Sequence, residues 1–427
     1  MIIHMMFGPR NRLEFVGARS RPPDEGSRVK ITKVKCHVIV DPGYDVSATS
    51  SAQDDIVVEV FTDEGVAGIG ESDVNPWIAR ACIEAPGTHT MDRGLGEVLV
   101  GLDPTDPPRV WQEVYRSTAM AGRRGALVHA LGAVDIALWD ICGKVAGVPV
   151  WKLLGGGSSE PGEHLNAYCS LEPEVGDLDS YVESMVRWAR RAVELGFDAV
   201  KAEATFSGPY ANMGLRLPDS AMTEVLKAVR AAVGPSVTLM VDVQYAFDSV
   251  QRALASFEDW VDFDLRFVET PLWIDDIEGY AELAAASPIP IAAGEWQATA
   301  FEFRELVAAG CLDVLQPDVG RVGGLSEAVK VCDLAAATGR VVIPHAWKTG
   351  ITLAATAHLA AARPEVERFE FLHPETCESR LRKELTLDEV QVTPHGVTIP
   401  RAPGLGVELN RDALAEFERA ARDLYDA

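Results

Sequence analysis

The chain has 427 residues, 47% of them hydrophobic, with 64 acidic against 39 basic side chains and a formal charge of −25. That length can bury a large core and exceeds one ordinary domain. The acidic balance argues against a nucleic-acid partner, whose phosphates it would repel. No run of 18 uncharged apolar residues suggests a membrane span.

The opening segment MIIHMMFGPRNRLEF has neither a sustained hydrophobic stretch nor a small-residue cleavage site, so it is a poor secretory signal. Residues 1–28 read as a loosely attached leader. From Val29 the pattern becomes two-fold. KITKVKCHVIV and DDIVVEVFTDEGVAGIGES alternate as antiparallel strands do, with a turn at TDEGVAG. Between them lies PGYDVSATSSAQ, small, polar and carrying one aromatic, Tyr44. Such a composition suits a mobile segment that orders over a ligand. Residues 79–150 read as helical. LVHALGAVDIALWDICGK places Leu127, Leu131, Val134, Leu138 and Ile141 on one stripe, and Gly143 with Lys144 is the expected stop. Trp139 and His129 on this helix are expected to be structural.

HLNAYCS is the expected first strand of a second region, followed by a helix and a second strand ending at Lys201. From there one pattern recurs: an apolar run with a titratable side chain where it stops. These side chains are Lys201, Asp242, Glu269, Glu295, Asp318, His345 and Glu370, separated by 41, 27, 26, 23, 27 and 25 residues. Alanine- and leucine-rich helical stretches fill the gaps. A short buried strand followed by a helix at this pitch is a βα unit of a parallel sheet. Repeated, it predicts a (β/α)8-type barrel of about 250 residues, with its chemistry at the strand C-termini. The long gap after Lys201 holds TFSGPYANMGLRLPDS, expected to form wall or an oligomer contact. The C-terminal segment ends in an amphipathic helix. Boundaries are placed at 29–150 for a smaller domain, 151–400 for the barrel and 401–427 for a segment packing back on the smaller domain or closing the barrel. Seven cysteines, odd in number and without a CxxC pair, read as reduced thiols suited to a cytoplasmic location.

Asp242, Glu269 and Glu295 end three successive strands, and neighbouring barrel strands lie about 5 Å apart. Three carboxylates so placed repel one another. A divalent cation relieves this, and an all-oxygen set selects Mg²⁺ or Mn²⁺. The bland alternative pairs each acid with its own basic residue, Arg266 being nearest in sequence. Asp318 and His345 end the next two strands, and a carboxylate beside an imidazole makes a general acid/base. Lys201 lies across the barrel mouth, where its ammonium could bind a substrate carboxylate or act as a base. Glu203 shares its face and could pair with it.

Taken together, these motifs resemble the mandelate racemase branch (mandelate racemase/muconate lactonizing enzyme family) of the enolase superfamily, over nearly all of residues 29–427. The resemblance is carried by the VDVQ, VETP and AGEW contexts of the three acids, by QPDVGRVGG and IPHAW, and by ALWDICGKVAGVPVWKLLGG. It implies an α/β fold: a (β/α)7β modified TIM barrel under an N-terminal α+β capping domain. Capping loops, here residues 42–52, would close over the barrel. It also implies abstraction of the proton α to a substrate carboxylate, with Mg²⁺ stabilising the enolate. Glu370 would hydrogen-bond the enolate oxygen. Gln244, Glu203, Tyr44 and Trp347 are the expected substrate contacts. Family members often carry Lys-x-Lys on the second strand, and this chain has Lys201-Ala202-Glu203. A racemase needs a base on each face of the α-carbon, so a single base, His345, suits elimination better. The expected activity is dehydration of a sugar acid (aldonate or aldarate) by a homo-oligomer, dimer to octamer. The rivals are a lactone cycloisomerase or epimerase and, more remotely, a non-catalytic metal-binding barrel.

Overall fold

In the computed structural model the described residues are 29–46, 50–155, 162, 164–174, 176–211 and 214–426. The expected leader, 1–28, lies outside them, as do residues 47–49 of the expected mobile segment.

The N-terminal region begins with an antiparallel meander of β1 (Ile31–Val40), β2 (Asp54–Thr62) and β3 (Ala67–Ser72). Helices α1 (Pro76–Glu84), α2 (Leu95–Leu99), α3 (Pro107–Ser117) and α4 (Ala126–Ala146) follow. Caps with a chemical rationale start two of them: Asn75 accepts from Ile78 N and Asp106 from Arg109 N.

Helix α4 is the hinge of the architecture. It is apolar and long enough to cross a membrane by composition, yet it is buried inside this molecule. One side lies on β3 so closely that a Cβ on Gly68 or Gly70 would stand 2.0 Å from the Ala137 or Ala133 carbonyl oxygen. The other side meets the barrel, where the Trp139 indole donates to Ser326 Oγ (3.0 Å) and Ser326 Oγ donates to Asp135 (2.6 Å). The apolar stripe read from sequence is therefore only part of what is buried, because the helix is sandwiched. It also runs past Gly143, ending at Gly147 in the left-handed conformation. Gly143 instead gives room to Gly404, whose Cα would be 2.6 Å from an added Cβ.

The second region is a barrel. Its strands are β5 (Ala167–Leu171), β6 (Ala199–Glu203), β7 (Thr238–Asp242), β8 (Leu265–Glu269), β9 (Ile291–Ala293), β10 (Val314–Leu315), β11 (Val341–Val342) and β12 (Phe369–Phe371). All neighbouring pairs are parallel, in the order β11-β10-β9-β8-β7-β6-β5-β12. A parallel bridge between Val342 and Val366, with Glu370 N donating to Pro344 O (3.1 Å), closes the ring. Seven helices, α5 (Leu178–Leu195), α6 (Ser220–Val233), α7 (Val250–Trp260), α8 (Ile277–Ala286), α9 (Thr299–Ala309), α10 (Leu325–Thr338) and α11 (Gly350–Ala362), alternate with the eight strands. This is the expected (β/α)7β pattern.

Inside the barrel Tyr168, Ala199, Met240, Phe267, Ala292, Val314 and Ile343 form one closed apolar layer. They make a solid floor on which a polar site can stand. HLNAYCS divides: β4 (His164–Leu165) pairs antiparallel with Gly396–Thr398, and Ala167 opens the barrel strand. The C-terminal helix Arg411–Asp426 lies on β1, where His37 bridges Glu418 and Glu59 at 2.8 Å each and Arg411 reaches Glu59 at 2.6 Å.

Candidate active site

Above that floor, the strand C-termini surround a cleft of about 260 Å³. Asp242 and Glu269 end their strands, Glu295, Asp318 and His345 follow theirs by two or three residues, and Lys201 and Glu370 lie within β6 and β12. Asp242 and Glu269 close β7 and β8 and are direct partners in register, as are Glu203 and Asp242. The chain then turns in the left-handed region at Gln244 (φ 43°), Tyr245 (φ 61°) and Thr270 (φ 48°). Non-glycine residues in that region are strained and are held by what surrounds them. Here the turns hold Asp242: Thr270 Oγ1 donates to its Oδ1 at 2.7 Å and Gln244 N at 2.9 Å.

Lys201, Glu203, Asp242, Gln244, Glu295, His345, Trp347 and Glu370 all line the cleft. Glu269 and Asp318 stand behind them, touching Lys201 and His345. Tyr44 does not join them. Its exposed side chain is not among those lining the cleft, and Ser50 and Ser51 of the same segment line it instead. The long segment after Lys201 contributes Tyr210 to the wall.

Lys201 is 4% exposed, with Nζ 2.8 and 2.9 Å from the two oxygens of Glu269 and 2.9 Å from Glu370 Oε1. Burial disfavours its charge, but those two carboxylates outweigh burial and hold it protonated well above the ordinary lysine range. In this arrangement the two carboxylates hold it as a cation. Lys201 also neutralises part of the charge that the three acids bring together, because a lysine two residues before the end of β6 is long enough to reach Glu269. Arg266 is not part of this, being paired with Glu367 at 2.7 Å.

His345 carries the second focus. Its Nδ1 is 2.6 Å from Asp318 Oδ2, and its Nε2 is 3.2 Å from Glu295 Oε2 and 3.6 Å from Glu370 Oε2. Burial would lower its pKa, but Glu370, Asp318 and Glu295 together raise it to about 9. Because Asp318 accepts from Nδ1, Nε2 is the ring atom that faces the cleft as acid or base.

Glu370 stands between the lysine and the histidine. Burial would raise its pKa, yet Lys201 and His345 together with the Ala346 N–H (2.9 Å) bring it down to about 2. An ionised carboxylate only accepts hydrogen bonds. Its contacts make it the link between Lys201 and His345.

Other residues stand here that the sequence reading passed over. Tyr245 donates to Glu295 Oε1 at 3.0 Å, Gln316 donates to Glu269 at 2.7 Å, and Arg321 NH1 meets Glu295 Oε2 at 3.2 Å. Arg321 is buried and also pairs with Asp73 of the capping region. Its place inside QPDVGRVGG, three residues after Asp318, was the one available signal. Tyr245 and Trp296 pack with ring centroids 4.6 Å apart, and Tyr210 meets Trp296 edge-on at 5.6 Å. Together they make an aromatic wall.

The donor set accommodates a hard cation in kind. It is all oxygen, and Asp242 and Glu269 are pushed up to about 6 and about 8 by burial, with other carboxylates adding and Lys201 opposing. The site thus carries more buried negative charge than its own cations compensate. As placed, however, Glu269 is engaged by Lys201, and among the described residues no group of three acidic, cysteine or histidine side chains is gathered closely enough to hold a metal.

A closed (β/α)7β barrel with acids, a lysine and a histidine at its strand ends, covered by an α+β domain, defines the class of enolase-type barrel proteins. Residues 29–155 match the mandelate racemase/muconate lactonizing enzyme N-terminal domain and residues 184–413 the enolase C-terminal domain-like family. The chain belongs to the mandelate racemase/muconate lactonizing enzyme family. It is 31% identical over 398 residues to a D-galactarolactone cycloisomerase of Agrobacterium fabrum, covering 91% of this chain and 99% of that one. It is 31% identical over 361 residues to an L-rhamnonate dehydratase of Saccharopolyspora erythraea, covering 83% of each. Among solved structures, the 3,6-anhydro-D-galactonate cycloisomerase of Zobellia galactanivorans superposes with a TM-score of 0.77 at 28% identity, covering 91% of this chain and 99% of that one.

Proposed function

We propose that this protein is a Mg²⁺-dependent acid-sugar dehydratase. The observation that carries the reading is the His345–Asp318 pair facing the Lys201–Glu370 pair across one cleft. His345 Nε2 takes the proton α to the substrate carboxylate, and Asp318 holds the ring and balances its charge. The same proton, returned from Nε2 to the β-hydroxyl, lets that group leave as water. The ammonium of Lys201 binds the carboxylate and supports the negative charge that develops there. Gln244, Glu203 and Trp347 line the cleft as substrate contacts.

Asp242, Glu269 and Glu295 are the residues that would hold Mg²⁺ or Mn²⁺. When bound, such a cation supplies positive charge at the carboxylate whose α-proton is removed. A single base favours elimination over racemisation, because Lys201 is locked in its charged form and Glu203 stands where the second lysine of the family motif would be. A lactone cycloisomerase is the second reading, supported by the cycloisomerases among the relatives. Seven unpaired thiols fit a cytoplasmic protein, and a homo-oligomer is the proposed assembly.

The test is a panel of acid sugars with Mg²⁺, scored by a 2-keto-acid colour reaction and by α-proton exchange in D₂O. Formation of a 2-keto-3-deoxy acid with loss of water supports the dehydratase. Exchange with an isomeric product, seen by NMR, shifts the assignment to the cycloisomerase, and no exchange with any acid overturns both.

A further inference from the structure

A second buried lysine stands beside the dyad and is spent entirely on the other domain. Lys348 lies three residues after His345 and is 3% exposed. Its Nζ donates to the Ser51 carbonyl, to the Asp54 carbonyl at 2.5 Å and to Asp54 Oδ1 at 3.3 Å, and pairs with Asp73 Oδ1 at 3.0 Å. Every one of these acceptors belongs to the capping region. Ser51 Oγ in turn donates to Asp73 Oδ2 at 3.1 Å. Ala52 packs with Leu372, Cys377 and the cleft-lining Trp347, and its carbonyl accepts from Ser379 Oγ at 2.5 Å.

Ser50 and Ser51 form the capping-side wall of the cleft. Two backbone carbonyls converging on one ammonium fix the path of a segment more tightly than side-chain contacts do, because neither acceptor can rotate away. Burial away from water leaves the ammonium no other partner.

We propose that Lys348 is a positioning residue, which sets Ser50–Asp54 as a wall of the cleft against the strand end bearing His345 and Trp347. Its hydrogen bonds and ion pairs go to Ser51, Asp54 and Asp73, and not to His345 or the three acids proposed to hold a cation. Its removal therefore weakens substrate binding and leaves the chemical step in place. The kinetic part of this inference rests on the proposed function; the conformational part does not.

The test is amide hydrogen exchange by mass spectrometry on the full chain, with Lys348→Met, Lys348→Gln and Lys348→Arg. In the Met variant, exchange over residues 50–54 rises by about tenfold or more, as loss of a charge-assisted hydrogen bond implies, while β7 and β8 exchange as before. The Arg variant stays near the wild-type rate. If the Met variant does not fold, the Gln variant, which keeps an uncharged NH₂ donor group but loses the charge, serves in its place. For the acid that the wild type dehydrates, KM rises by about tenfold with kcat changed less than about threefold. Unchanged exchange over 50–54 overturns the proposal, and so does faster exchange with an unchanged KM. Faster exchange in a protein that turns over no acid overturns the dehydratase reading and leaves the positioning role standing.

Discussion

His345 and Asp318 meet at 2.6 Å through Nδ1 and Oδ2, and this contact leaves Nε2 as the only ring nitrogen turned to the cleft. Positioned acid–base groups contribute about 10²- to 10⁴-fold to rate. His345→Asn is therefore expected to abolish α-proton exchange in D₂O with the turned-over acid, and Asp318→Asn to slow it by about 10²-fold. Undiminished exchange in the His345 variant would remove that residue from the mechanism.

Lys201 compensates two buried carboxylates at once. Removing one partner of a buried ion pair leaves an uncompensated charge, at about 3–5 kcal/mol. Lys201→Met should be destabilised by that order in EDTA, as read by urea denaturation. Because both Glu269 and Glu370 would take up protons more readily, the loss should be smaller at acidic pH. Equal losses at pH 5 and pH 8 would show that charge is not the cause.

A cation bound only by the folded protein stabilises it by about 2.7 kcal/mol at a concentration one hundred times its Kd. Adding Mg²⁺ to chelator-treated protein should therefore raise the thermal midpoint. Asp242→Asn and Glu295→Gln should blunt that rise, whether or not any substrate has been found. A wild-type midpoint indifferent to Mg²⁺ and Mn²⁺ would count against the metal assignment.

The C-terminal helix is tied to the capping sheet through Glu59, whose pKa falls to about 2 because His37 and Arg411 outweigh the effect of burial. A depressed carboxylate contributes stability that is present above its unfolded value near 4.5 and is lost as pH falls toward 2. Glu59→Gln should therefore show a shallower loss of stability than wild type across that window. Parallel acid-denaturation curves for the two proteins would contradict the assignment.

Gly70 accepts the backbone of α4 against β3, and an added Cβ there would stand 2.0 Å from the Ala133 carbonyl oxygen. Gly70→Ala should cost about 1–3 kcal/mol or more by overpacking. Gly147→Ala, at a left-handed cap with open space around it, should cost about 1–2 kcal/mol. Chemical denaturation of the two variants would rank them.

Much of the architecture was legible because strands and helices obey periods that one chain displays. Apolar runs ending in Lys201, Asp242, Glu269, Glu295, Asp318, His345 and Glu370 located the strand ends, and parallel barrels place those ends on one rim. Helix α4 was legible as a helix but not as a sandwiched one, since burial on a second side depends on where the barrel lies. Tyr44 was over-read, because composition marks a loop near a site without saying which of its residues turns inward.

The sequence by itself determined the recurrent βα pattern and which titratable residues share the rim, because strand pitch and alternation are local properties of the chain, while the (β/α)7β form came from the family resemblance. Tertiary structure alone decided the pairings. Lys201 pairs with Glu269 and Glu370, Arg321 and Lys348 reached back to Asp73, and Glu370 became the link between Lys201 and His345. Such choices follow from side-chain reach and from the local balance of buried charge, and both exist only once distant strands have been brought into register.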